Sequence, residues 1–148
     1  MRRYAAHTTV PVAKSMMEVQ RVLTLYGATR FGTMVAPDKA TVYCELKGRQ
    51  VQIDVPLPHT GDSKWKYASA NKMDQEKRRR WRVLLITVKS MLESVESGLL
   101  TFDQAFLSFV VIPGTAQTIG AFLIPKLNAL YQGQSLRALL SENPESPA

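Results

Sequence analysis

The chain has little with which to do chemistry. Of its 148 residues one is cysteine and two are histidine. A lone Cys44 excludes an internal disulfide and fits a reducing, cytoplasmic setting. His7 and His59 each stand without a cysteine or carboxylate at ligand spacing, which argues against a zinc site. There is no glycine-rich phosphate loop and no Gly-x-Ser-x-Gly elbow, and no cofactor is expected. No apolar run follows Met1-Arg2-Arg3-Tyr4, so a secretory signal is not expected either. An unbroken membrane-spanning run is also lacking. The interval from Asp103 to Lys126 is uncharged, but Pro113-Gly114 interrupts it and Thr115, Gln117 and Thr118 sit near its middle. It reads as two short buried helices joined by a turn, with no membrane partner.

Acidic residues are scarce too, 12 against 19 basic, for a formal net charge of +7. The excess is local. Lys64, Lys66, Lys72, Lys77, Arg78, Arg79, Arg80 and Arg82 are opposed between 64 and 82 only by Asp74 and Glu76, so that stretch carries +6. Such a patch is a footprint for an anionic partner. From Asp74 the spacing of Trp81, Leu84, Leu85, Val88, Met91, Leu92 and Val95 predicts a long amphipathic helix facing a core, with Gly98 as its stop. Lys77 to Arg80 would then fall in its first turn and point around the whole axis. There they would oppose the helix dipole, and an anion would meet both side chains and unpaired N–H groups. In the preceding loop Lys64-Trp65-Lys66-Tyr67 alternates cations with aromatics, a pattern suited to stacking on single-stranded bases. Trp81 lies in line with Leu85 and Val88 and belongs to the core.

Taken in order, residues 1–9 read as a flexible arm, with Arg2 and Arg3 adding to the basic footprint. Ser15-Met16-Met17-Glu18 fits a capping box, followed by Met16, Val19, Leu23 and Tyr26 on one helical face and Gly27 as its end. Residues 29–35, 40–46 and 50–57 alternate as three antiparallel strands, with Val42, Cys44, Leu46, Val51, Ile53 and Val55 on the packed face. Tyr43, Glu45, Gln52 and Asp54 face away. After a long polar loop and the basic helix, Thr101 caps a helix bearing Phe102, Ala105, Phe106, Phe109 and Val110, ended by Pro113-Gly114. Thr118 caps a last helix with Pro125 kinking it and Gly133 closing it. Residues 141–148 read as a disordered tail. The expected fold is a single α+β domain over 10–140: an N-terminal helix, a three-stranded antiparallel sheet, a long central amphipathic helix, and two or three C-terminal helices that complete the core.

One catalytic pattern is spelled out. Pro37-Asp38 followed by Glu45-Leu46-Lys47 matches the PD-(D/E)xK motif of metal-dependent nucleases. The strand reading, however, puts Asp38 and Glu45 roughly 20 Å apart and on opposite pleat faces.

Several short stretches carry a resemblance: Val10-Pro11-Val12, Tyr26-Gly27-Ala28, Pro56-Leu57-Pro58, Arg80-Trp81-Arg82, Leu92-Glu93-Ser94-Val95-Glu96-Ser97-Gly98 and Thr101-Phe102. Over about residues 10–133 the chain resembles a family of small uncharacterised proteins of tailed phages and prophages, which implies a mobile-element origin and carries no enzymatic role. The element order also resembles a double-stranded RNA-binding domain, although the long loop and the C-terminal helices have no counterpart there. The reading that follows is a non-enzymatic nucleic-acid-binding protein, DNA or RNA, of low sequence specificity. Lys64, Lys66, Lys72, Lys77, Arg78, Arg79, Arg80 and Arg82 would act on phosphates and Trp65 and Tyr67 on bases. A host protein is the alternative partner.

Overall fold

The computed structural model describes residues 1–141. The expected tail therefore falls, from 142 onward, outside the described residues. Helix α1 spans Val12–Leu25, β1 Thr29–Val35, β2 Lys39–Leu46, β3 Arg49–Pro56 and α2 Ala70–Glu96. Three short helices follow: α3 at Phe102–Phe106, α4 at Ile119–Tyr131 and α5 at Leu136–Leu140. The architecture is α+β, with strand order β1-β2-β3 and both pairs antiparallel.

The β2–β3 register follows from its turn. Lys47 and Gly48 take φ of 52° and 71°, the two positive values that a two-residue hairpin loop needs to match strand twist. Leu46 then faces Arg49, Cys44 faces Val51 and Val42 faces Ile53. Ala40, Val42, Cys44, Leu46, Val51, Ile53 and Val55 all lie on one face and all are buried. Val19 and Leu23 of α1 and Trp81, Leu84, Leu85, Val88 and Leu92 of α2 close over them, with Phe106 of α3 completing the cluster.

Three local expectations change. Helix α1 starts at Val12, with Pro11 as N-cap, so Ser15 is not a cap: it is fully buried, and its Oγ has no hydrogen-bond partner among the described residues. Proline has already set the φ of the chain entering the helix, and Glu18 is left to reach across to α2. The Thr101 helix is capped as expected, through a reciprocal bond with Gln104, but stops at Phe106. A 3₁₀ turn over Leu107–Phe109 leads into extended chain, where Val110 bridges Val51 and Val111 N–H donates to Gln50 O at 2.8 Å. The β-branched run Val110-Val111-Ile112 favours strand over helix, and the open edge of β3 supplies the partner. Lastly, α4 does not complete the core. Only Gly120 of it is buried, while Ile124, Leu127 and Tyr131 stand in solvent together with Leu136 and Leu140 of α5. Among the described residues, no helix is long and apolar enough to cross a membrane.

Candidate functional site

The basic segment begins in a loop whose backbone is folded into consecutive turns. Asp62 N–H donates to His59 O, Trp65 N–H to Asp62 O and Ala68 N–H to Trp65 O, at 2.9 to 3.1 Å. The loop is anchored by buried Leu57 and Pro58. Lys64 and Lys66 are exposed, each with its ammonium over the adjacent ring, 5.6 Å from the Trp65 centroid and 5.5 Å from that of Tyr67. Tyr67 is 89% exposed, whereas Trp65 is half-buried.

Helix α2 starts at Ala70, four residues before the expected position, with the Ser69 hydroxyl accepting from Lys72 N–H at 3.2 Å. Asn71 and Lys72 are exposed, so the first turn adds nothing to the apolar stripe from which the start was read. This moves Lys77 to Arg80 into the second and third turns, where backbone N–H groups are already used within the helix. The combined side-chain and N–H anion site expected at the first turn is therefore not formed there.

Nor do the arginines radiate freely. Glu76, only 8% exposed, accepts from Arg79 Nε at 3.0 Å and Nη2 at 3.1 Å, and from Arg80 Nε at 3.1 Å. Arg80 Nη1 also donates to Pro56 O at 2.6 Å, tying the helix to the end of β3. Burial pulls the Glu76 pKa up, but hydrogen bonds and charge from Arg79 and Arg80 outweigh it and hold the carboxyl below its ordinary value. Arg82 turns to α1 and bonds Glu18 at 2.6 Å. Arg78 donates to Gln75 at 2.6 Å. Lys77 borders a different, apolar cleft beside Val12, Leu57 and Trp81. Lys72 is exposed at the helix start. Of the ten residues singled out from sequence, Lys64, Arg79 and Arg80 come together on one cleft.

The other half of that cleft comes from the N-terminus. Gln75 Nε2 donates to Ala6 O at 3.1 Å and Thr8 O at 2.9 Å, fastening to α2 the segment expected to be loose. Arg2, Arg3 and Tyr4 are thereby set beside Lys64, Glu76, Arg79 and Arg80 around about 490 Å³. Five cationic side chains surround one carboxylate already shared by two of them. Arg79 Nη1 and Arg80 Nη2 have no partner among the described residues, so the cleft presents guanidinium donors to an anion. Gln75 carries this arrangement, and nothing in its sequence context marks it.

The carboxylates of the nuclease pattern are not assembled. Asp38 sits in the turn before β2, and Glu45 near the far end of that strand pairs with Arg30 at 3.5 Å. No group of three or more potential metal ligands occurs among the described residues. Comparison with protein-family models, with curated proteins and with solved structures returns no match.

Proposed function

We propose that the protein binds the phosphate backbone of a nucleic acid without acting on it, as an accessory protein of a phage or other mobile element. The observation that carries this reading is the meeting of Arg2, Arg3, Lys64, Arg79 and Arg80, from three separate stretches of chain, on one open cleft. Guanidinium groups suit phosphate oxygens, and a cleft that holds phosphates without base-reading side chains binds with low sequence preference. Exposed Tyr67, close in sequence to Lys64, offers a ring face to an unpaired base. The mobile-element origin rests on the sequence resemblance alone.

The test is fluorescence anisotropy of labelled single- and double-stranded DNA and RNA across a salt series, comparing wild type with Arg2→Ala/Arg3→Ala/Lys64→Ala. These three are chosen because none of them holds Glu76. Wild type should give a log–log salt slope of about −3 to −4, as four or so phosphate contacts require, and the triple variant should flatten it towards about −1. Lys77→Ala, outside the cleft, should leave the slope unchanged. Absence of binding at low salt, or equal loss in Lys77→Ala, removes the reading. A second reading, a protein that binds and redirects a host protein, draws on the exposed Ile124, Leu127, Tyr131, Leu136 and Leu140. It is favoured if a host complex survives nuclease treatment and is lost on Leu127→Lys.

A further inference from the structure

A second groove, of about 360 Å³, lies between residues 53–56 of β3 and one side of α2, with Val83, Leu84 and Phe109 in its lining. Its strand side is an open sheet edge. In an antiparallel ladder alternate residues turn their N–H and C=O to the same neighbour, and two bonds set the parity here. Gln50 O accepts from Val111 N–H at 2.8 Å, and Pro56 O accepts from Arg80 at 2.6 Å. The outward row is therefore Gln50, Gln52, Asp54 and Pro56. Chain 110–111 covers one end and Arg80 the other. Between them the main-chain N–H and C=O of Asp54 have no partner among the described residues. The Asp54 carboxylate is held aside by the Thr41 hydroxyl at 2.8 Å and by Lys39 at 3.4 Å.

We propose that this edge binds an extended, acidic peptide segment of a partner protein, which adds as a fourth strand beside β3. Each feature of the groove matches one feature of such a guest. The unpaired main-chain groups of Asp54 call for another extended backbone. The apolar wall of Val83, Leu84 and Phe109 takes a side chain projecting from alternate positions of that strand. Arg79 and Arg80, which line the same groove, complement a carboxylate on the guest. The window is about three residues, roughly 10 Å, so the guest is short.

A displayed random heptapeptide library is selected on the full chain, and the most enriched peptide is labelled for anisotropy and amide NMR. Enriched sequences should combine an apolar residue with acidic neighbours, and binding should shift the Gln52 and Asp54 amides. Asp54→Pro removes the outward N–H without touching the ladder to β2, and Asp54→Ala controls for the lost Thr41 and Lys39 bonds. Relative to Asp54→Ala, the proline variant should bind roughly five- to tenfold more weakly. Val83→Glu, checked for folding by circular dichroism, should lose tenfold or more. Arg2→Ala/Arg3→Ala should bind the peptide as wild type does, which separates this site from the phosphate cleft. The proposal is overturned if selection gives nothing beyond what Val83→Glu retains, or if Asp54→Pro and Asp54→Ala bind alike. It is also overturned if the two amides shift with protein concentration alone, which would assign the edge to a second copy.

Discussion

Glu76 receives three guanidinium hydrogen bonds while almost excluded from water, and two of the cleft's cations are oriented by it. Because its folded pKa lies below its unfolded one, its contribution to stability is present above about pH 4.3 and is lost as pH falls through the folded value. Glu76→Gln should destabilise the fold by about 1–3 kcal/mol at pH 7, discounted for partly solvated arginines. The gap to wild type should narrow as pH falls through the lowered folded value, as read from urea unfolding across an acidic pH series; a gap independent of pH would mean that the charge is not what stabilises. The pairing explains why charge counting overstated the patch. Sequence places Arg82 and Glu18 64 positions apart, yet packing of α1 on α2 brings them to 2.6 Å.

Helix α4 meets the rest of the molecule through a residue with no side chain. A Cβ at Gly120 would lie 2.7 Å from Ser108 O and 3.0 Å from Ser108 Cβ, closer than packing allows, and the opposing atom is backbone. Gly120→Ala should cost about 1–3 kcal/mol and release α4 while leaving the sheet intact. Hydrogen exchange should show faster amides in Ile119–Tyr131 and unchanged ones in Arg49–Pro56; uniform loss would place α4 in the same cooperative unit as the sheet. Legibility in sequence differs between elements for the same reason. The strands and the body of α2 were readable because each buries a periodic face. The start of α2 and the fate of Val110 were not, since Ala70 to Met73 project beyond the core and Val110 answers to a strand edge some 60 residues earlier in the chain.

The whole molecule divides into a core built by α1, the sheet, α2 and Phe106, and a more exposed C-terminal part whose apolar surface sequence alone would have buried. Cys44 reports on the first. It is 5% exposed at the centre of the sheet, and burial pushes its thiol up to about 11. At pH 8 it should react with a disulfide reagent only through global unfolding, at the rate of the slowest sheet amides, and loosening α4 should not speed it. Reaction at the speed of an exposed thiol would show that the sheet opens locally. The cations of the candidate cleft were legible, Arg2 and Arg3 as additions to the basic footprint; what the sequence hid is the Gln75 contact, over 67 to 69 residues, that sets them beside Lys64, Arg79 and Arg80.

The two edges of the sheet are unequal. Strand β1 breaks register between Thr29 and Gly32, with Arg30 at φ 52°, a bulge that twists this border away from straight pairing. Strand β3 is regular and only partly covered. In the language of assembly the two borders are not copies of each other: β1 pairs regularly only over Gly32–Val35, and β3 offers a short window between chain 110–111 and Arg80. Head-to-tail fibres need two matching borders on every copy, and these two differ in length, geometry and cover, which works against an open-ended array.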